Sequence, residues 1–367
     1  MNDSIFQPNY TVTTKMQISL EELETRRWLI DNVLLMPRHE AWIRRELQVK
    51  RAVGTTRIEG ANLDEEAVRN LVGVGTAAKV TDDELANINA LEAYEFIDFL
   101  SGQPDIPIDE LVIRQLNRYF MAGSAETLTP GVYRKGQNTV GAFASPDQGD
   151  VPAMMRSFAL WLREDNDIHP VLKAGISHLH LVAVHPFWDG NGRTARGLST
   201  LILQRSAFGF QKLLSLESSL FGIQHSYFAA LEQALGNAFT MPYDSTSWLE
   251  FFIEEIKWNV ESLLKDLTGW QKAMREIQQI FTKKGWQQRQ ADAFTFALQV
   301  GKISRSEYIQ ITGVSPVTAS RDLAALVQGG VFAAEGKTRR RIYRPVPLNT
   351  EAEDGIPEEQ LHLIAEK

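Results

Sequence analysis

The chain has 367 residues, 44% of them hydrophobic and 23% charged, with a net charge of −8 and no cysteine. That length supports two or three domains with a sizeable core, and the lack of cysteine excludes disulfides and thiolate-bound zinc. No apolar run approaches the roughly 18 residues of a membrane span, and MNDSIFQPNYTVTTK has no basic stretch leading into an apolar one, so neither a membrane partner nor a secretory signal is expected and the expected compartment is the cytoplasm. Residues 18–50 read as helical, with Leu20, Leu23, Trp28, Leu29, Val33 and Leu34 at helical spacing and Pro37 interrupting the run. The next segment, AWIRRELQVKRAVGTTRIEG, repeats the pattern with Trp42, Ile43, Leu47 and Val53 and closes on Gly60, which suits a helix C-terminus. Helical pattern follows near 83–100 and 108–121. The stretch 129–152 is turn-rich, with Asn138-Thr139-Val140 and Ala142-Phe143-Ala144 as hairpin strands. Helical pattern returns at 152–163, 170–184, 193–206 and 224–263, so the body is mainly α.

The densest chemistry lies in HPFWDGNGR, residues 185–193. Pro186 cannot continue the helix before it, so His185 should end that helix and face a loop. The loop Gly190-Asn191-Gly192 feeds the next helix, whose free N–H groups and dipole favour anions. Arg193 and Arg196 are three apart, share a helix face and suit phosphate oxygens. Asp189 is the only acid in the loop and can hold Mg²⁺ against those phosphates. His185, with an ordinary pKa of roughly 6.5, can take a proton from an incoming hydroxyl. A capped helix–loop–helix with solvated arginines does not account for a base, an acid, a glycine loop and two arginines within twelve residues. The segment reads as a nucleotide-phosphate site. His178 and His180 point away from each other on a helix, and no second acid lies near them, so they do not read as metal ligands; His178 reads as a core histidine or one that supports the site.

HPFWDGNGRTAR resembles the Fic-domain signature HPFx(D/E)GNGRxxR at every specified position. The resemblance implies a mostly helical fold and transfer of AMP from ATP, with Mg²⁺, to a Ser, Thr or Tyr hydroxyl of a target protein, releasing pyrophosphate. His185 would be the base and Asp189 the Mg²⁺ ligand. Gly190, Asn191 and Gly192 would form the anion hole, Arg193 and Arg196 would contact phosphates, and Phe187 would anchor the loop. PGVYR (130–134) and the hairpin after it are similar to the family's flap, whose residues Asn138, Thr139, Val140 and Gly141 would pair with an extended target segment. The similarity spans roughly residues 15–265 and includes Tyr227–Leu231 and Asp244–Trp248. Thr55-Thr56-Arg57-Ile58-Glu59-Gly60 matches the family's inhibitory motif (S/T)xxxE(G/N). That match implies that Glu59, presented with Thr55 and Gly60, takes Arg196 away from the ATP γ-phosphate.

Charge is uneven along the chain. Residues 1–270 carry 24 basic and 35 acidic side chains, 271–346 carry 13 and 5, and 347–367 carry 1 and 6. Such asymmetry predicts a separate C-terminal unit with its own partner. In 303–332 a short helical pattern ends at Gly313, Ser315 and Pro316 open a second helix, and Val331–Ala334 with Arg339–Arg344 complete a hairpin. This resembles a winged helix-turn-helix, with Arg321 on its second helix and Lys337, Arg339, Arg340, Arg341 and Arg344 on or near the wing, a shape that suits DNA phosphates or a protein.

The expected architecture is therefore an N-terminal helical region with the inhibitory helix (1–105), a Fic-type core (106–270, flap 136–150, signature 185–196), a winged helix (271–346) and an acidic tail (347–367). Its leading function is protein adenylyltransfer restrained by Glu59, with self-modification and a homodimer also admitted. A DNA-binding regulator that senses nucleotide is a different class of function. Removal of AMP, or transfer of UMP or another phosphate-linked group, is a third, although phosphate-transferring relatives typically depart from GNGRxxR.

Overall fold

The computed structural model describes residues 5–33, 37–72, 80–124, 129–164, 167–336 and 341–346. They divide into two compact units, the first ending at Glu261 and the second beginning at Ser262, with 37–40 grouped with the second. The first unit contains α1 (Thr14–Asp31), the body of α2 (Pro37–Ile58), α3 (Glu65–Leu71), α4 (Asp82–Ser101) and α5 (Glu110–Phe120). A hairpin of β1 (Thr139–Val140) and β2 (Phe143–Ala144) follows, then α6 (Val151–Arg163), α7 (Pro170–Val184) and α8 (Asn191–Arg205). A 3-10 segment (Ala207–Lys212), α9 (Leu216–Gly222), α10 (Gln224–Leu235) and the first part of α11 (Thr246–Lys283) complete it.

Helix starts follow local chemistry. The Thr13 hydroxyl accepts from Met16 N at 3.3 Å, and Asp64 and Asp109 carboxylates cap α3 and α5 at 2.8 and 3.0 Å. Thr81 and Glu84 form a reciprocal capping box at α4. Pro37, expected to interrupt a helix, begins one: its missing N–H costs nothing in a first turn. The helical pattern over 224–263 divides into α10 and α11, because Gly236 turns the chain with φ +65°.

The core centres on α8, against which α4, α5, α7 and the 3-10 segment pack. Twelve of the fifteen residues of α7 are buried, so neither helix carries the amphipathic stripe of a surface helix. Polar residues inside such a core need partners. Ser199 Oγ donates to Ala174 O at 3.1 Å, and Thr200 Oγ1 donates to Glu217 at 2.7 Å. His178 bonds Tyr227 Oη through Nε2 at 2.9 Å and Ser199 Oγ through Nδ1 at 3.3 Å, linking α7, α8 and α10. His180 bonds Tyr243 Oη at 2.7 Å and lies against Phe6 and Phe158.

The second unit holds the rest of α11, α12 (Gln288–Val300), α13 (Arg305–Thr312) and α14 (Pro316–Gln328). Its strands β3 (Ile303–Ser304), β4 (Phe332–Glu335) and β5 (Ile342–Pro345) form an antiparallel sheet in the order β3-β5-β4. Ile277, Phe281, Phe294, Leu323, Leu326 and Phe332 fill its core. Buried Asp322 accepts from Arg289 Nε at 2.7 Å and Tyr308 Oη at 3.0 Å, closing α12, α13 and α14 around one carboxylate. Strand β3 was not expected: two residues are too few to show alternation. Among the described residues no helix is long and apolar enough to cross a membrane.

Burial pushes the His178 and His180 imidazoles down to about 3. The unfolded chain, titrating near 6.5, binds protons first as pH falls, so stability is full above about 6.5 and is lost progressively below it. At pH 5 each imidazole should cost on the order of 2 kcal/mol relative to pH 7. Denaturant unfolding at the two pH values should show that His178→Gln shrinks the pH-dependent loss by about that amount; an unchanged loss would show that His178 is not buried neutral.

Candidate functional site

Helix α7 ends at His185, which takes the left-handed conformation (φ 49°, ψ 56°) while its N–H still bonds Leu181 O at 3.0 Å. For a non-glycine residue that conformation costs about 1–2 kcal/mol, and the surroundings hold it. Buried Arg134, just before the flap, donates through Nε to His185 O at 2.9 Å, through Nη1 to Gly136 O at 2.9 Å and through Nη2 to Pro146 O at 2.6 Å. Its own N–H donates to Pro186 O at 2.9 Å. Asn117 on α5 works from the other side. It donates to Asp189 O at 2.9 Å and accepts from Gly131 N at 2.8 Å. Asn191 closes the loop internally, accepting from Phe187 N at 2.9 Å and donating to Phe187 O at 2.8 Å. Phe187 is buried and Trp188 is exposed. Gly190 (φ 76°) then starts α8, and a Cβ there would lie 2.7 Å from Met121 Cγ, so both its torsion and its space demand glycine.

Two chemical ends result. At one, His185 Nδ1 faces Val182 O at 3.3 Å, so the neutral tautomer donates there and keeps its lone pair on Nε2. Burial pushes this imidazole down to about 4, against the Val182 bond and the charges of Glu59 and Asp189, so it is neutral at pH 7. At the other end, α8 has no side-chain cap, and the N–H groups of Asn191, Gly192 and Arg193 have no acceptor among the described residues. The positive end of α8 is open to an anion. Arg193 is nearly buried, its Nε is unpartnered and its Nη2 lies 3.4 Å from Asp189. The Asn191 side chain is committed to Phe187, which leaves its backbone N–H for an anion.

An anion already stands there. Glu59 Oε1 lies 2.5 Å from Arg196 Nη2, and a Cβ added to Gly192 would lie 2.6 Å from the same oxygen. Arg196, 1% exposed, also donates from Nε to Thr55 Oγ1 at 2.9 Å and from Nη2 to Thr55 O at 3.1 Å. Gly60 (φ 100°) follows the end of α2, and a Cβ there would meet nothing within 4 Å. Burial works to raise the Glu59 carboxyl, but Arg196, with Arg193 and His185, pulls it below the ordinary range. Burial likewise disfavours the Arg196 charge, and Glu59 overrides it, raising its pKa.

Beside these residues lies a cavity of about 380 Å³ lined by Glu59, His185, Gly192 and Arg196, by Val140–Phe143 of the hairpin, and by Tyr227, Phe228 and Leu231 of α10. The hairpin pairs Thr139 with Ala144 and Val140 with Phe143 across a turn at Gly141-Ala142. Its β2 edge is occupied, with Ala144 N on Asn237 O and Phe239 N on Ala144 O, both 2.9 Å. The β1 edge, with Thr139 and Val140 exposed, has no partner among the described residues, and Asn138 O accepts from Ser145 Oγ at 2.6 Å. Asp189 is 49% exposed, and no group of three His, Cys, Asp or Glu gathers among the described residues. A single accessible carboxylate fits Mg²⁺, which is held mostly by phosphates and water.

Residues 107–203 match the Fic/DOC family model. Over that stretch the chain is similar to a Fic domain. The matched span runs through α8 and includes Asn117, Arg134 and the whole signature, while Glu59 and the α10 wall of the cavity fall outside it. Over 153 residues the chain is 30% identical to the protein adenylyltransferase Fic of Aedes aegypti, covering 41% of this chain and 27% of that protein. Over 98 residues it is 38% identical to that of Drosophila mojavensis, covering 26% and 19%. The chain thus spans about a fifth to a quarter of the curated relatives it matches. A Fic family protein from Desulfovibrio desulfuricans G20 superposes with a TM-score of 0.63 at 21% identity, covering 94% of this chain and all of that one. Fic-1 of C. elegans superposes with 0.57 at 23%, covering 70% and 73%. At such identities these two speak for the fold.

Sequence reasoning left Asn117 and Arg134 without roles: one polar residue in a helical pattern and one arginine before a turn carry no sign of the carbonyls they meet. Of the C-terminal candidates, Arg321 is exposed on α14, Arg341 lies over the Tyr343 ring at 5.9 Å, and Arg344 pairs with Glu335 at 3.0 Å. Lys337, Arg339, Arg340 and the tail 347–367 lie outside the described residues.

In a proton-NMR titration of the nucleotide-free protein, the His185 imidazole should stay neutral from pH 8 down to about 5.5 and titrate near 4 rather than near the ordinary 6.5. Because Glu59 holds that pKa up, Glu59→Gly should move the midpoint lower still.

Proposed function

We propose that this chain transfers AMP from ATP to a hydroxyl of a target protein, and that Glu59 restrains the reaction. The observation that carries the reading is the Glu59 carboxylate, standing on Gly192 and paired to Arg196 where the open end of α8 favours an anion. A γ-phosphate would need the same donors, so carboxylate and nucleotide compete. With Glu59 displaced, the Asn191, Gly192 and Arg193 N–H groups, Arg193 and Arg196 would hold the phosphates, and Tyr227, Phe228 and Leu231 would cover the base. The hydroxyl oxygen attacks the α-phosphorus, the bond from that phosphorus to the bridging oxygen breaks, pyrophosphate leaves, and the hydroxyl proton passes to His185 Nε2. Asp189 would hold Mg²⁺, which supplies neutralisation of phosphate charge. The free β1 edge at Thr139–Val140 would receive the target as an added strand, and the same geometry would serve self-modification.

Incubation with Mg²⁺ and ATP labelled at its α-phosphate, with and without a lysate, tests this. Glu59→Gly should bind ATP more tightly than wild type and label protein. Adding His185→Ala should cut labelling by about 10²–10⁴-fold. ATP binding with no labelling in any variant would favour AMP removal or nucleotide sensing.

For the second unit we propose a winged helix that contacts DNA. Three of its acids are engaged: Glu307 caps α13, Asp322 binds Arg289 and Tyr308, and Glu335 pairs with Arg344. Lys302, Arg305, Arg321 and Arg341 form no ion pair among the described residues, and a cavity of about 810 Å³ is bordered by Arg305, Ser320, Arg341 and Tyr343. Fluorescence anisotropy with duplex DNA should show affinity falling as salt rises, and Arg321→Ala should flatten the log–log slope by about one. No binding at low salt would leave a protein partner for this surface.

A further inference from the structure

We infer that Arg51 is a positioning residue for the restraint: it sets α2 so that Glu59 meets Gly192 and Arg196. The inference rests on the inhibitory reading of Glu59. Arg51 and Thr55 on α2 and Glu59, the residue just past its end, are spaced four apart and fall in one line; Gly192, Arg196 and Thr200 form a matching stripe of α8. The stripes meet in opposite directions. Glu59 lies on Gly192 and Arg196, Thr55 binds Arg196, and Arg51 and Thr200 line one small cavity.

Glu59 is 36% exposed, and a partly solvated ion pair holds weakly by itself. Its ability to compete with a polyphosphate depends on being placed in advance. Arg51 supplies a buried anchor. It is 1% exposed and donates from Nε and Nη2 to Leu214 O at 3.1 and 2.7 Å and from Nη2 to Lys212 O at 2.8 Å, with Asp98 at 3.7 Å. Those carbonyls belong to or adjoin an unusual turn. Phe210, Gln211 and Lys212 have φ of 44°, 55° and 64°, three successive non-glycine residues in the left-handed region, which persists only when the surroundings over-determine it. Gln211 Nε2 on Ile30 O and Lys212 Nζ on Asp98 O, both 2.9 Å, share the task. The turn leads into α9, whose backbone at Glu217–Ser218 abuts Gly54: a Cβ there would lie 2.6 Å from Glu217 C and 2.7 Å from Ser218 N. Helix α2 is thus fixed along its own axis by Arg51 and in depth by Gly54. Glu59 follows Arg51 by eight residues, about 12 Å of helix, so a shift at the anchor moves the carboxylate.

The test measures ATP affinity, with Mg²⁺, of the full chain carrying Arg51→Ala, Arg51→Lys or Gly54→Ala, each with and without Glu59→Gly, alongside thermal melts. With Glu59 present, Arg51→Ala and Gly54→Ala should each tighten ATP binding about fivefold, with Arg51→Lys intermediate; with Glu59→Gly already made, none should add to its gain, the non-additivity of residues acting through one element. Arg51→Lys decides if Arg51→Ala does not fold, because it keeps a cation at the anchor while giving up the forked grip on Leu214 O and Lys212 O. Wild-type affinity in Arg51→Ala and Gly54→Ala beside a gain in Glu59→Gly would overturn the role of Arg51 alone. Equal changes in both backgrounds would make it a general effect on the pocket and overturn it too. No gain in Glu59→Gly would overturn the inhibitory reading and, with it, this one.

Discussion

A guanidinium held at 1% exposure is the constraint around which the first unit is arranged. Arg196 sits on a helix with twelve of its fifteen residues buried, where an unpaired charge would be costly. Thr55 answers it with a hydroxyl and a carbonyl, Glu59 with a carboxylate. Helix α2 therefore completes the electrostatics of α8 as well as covering it. Under the proposed reading the site has two satisfied arrangements, one using the protein's own carboxylate and one using a phosphate. A ligand shifts such an equilibrium only by its differential affinity for the two, which is why whatever fixes α2 bears on catalysis without touching substrate.

The second requirement is a loop that presents a base and an open helix end together. His185 and Gly190, both left-handed, bracket four residues, and side chains supply much of the support for this backbone: Arg134 on His185, Asn117 on Asp189, Asn191 on Phe187. Each is a buried or nearly buried polar group whose removal would strand a carbonyl or an N–H. Arg134 and Asn117 also hold the segment leading to the hairpin, so loop and flap are positioned by the same residues. Site geometry of this kind is rigid because its supports are shared.

The histidines illustrate how environment assigns roles. His178, His180 and His185 fall within eight residues and all are depressed by burial. His178 and His180 spend ring nitrogens on tyrosines, whereas His185 spends one on a carbonyl and keeps the other toward the cavity. Identical side chains become core and candidate base through their partners alone.

Much of this was legible in the order of residues. The helix start at Ser315, the break at Pro186, and the signature with its glycines and arginines are local features, decided by torsions and spacings within a few residues, and the sequence by itself determined them. It also determined the mainly helical class and, through charge, a distinct C-terminal segment. The tertiary structure alone decided what lies between distant positions: that Glu59 reaches across 137 residues to Arg196, that Asn117 and Arg134 hold the loop, that Tyr227 and Phe228 wall the cavity, and that Arg51 grips a left-handed turn 161 residues away. Such contacts depend on how helices pack, and packing is set by the summed shape of many side chains, none of which marks its partner in the sequence.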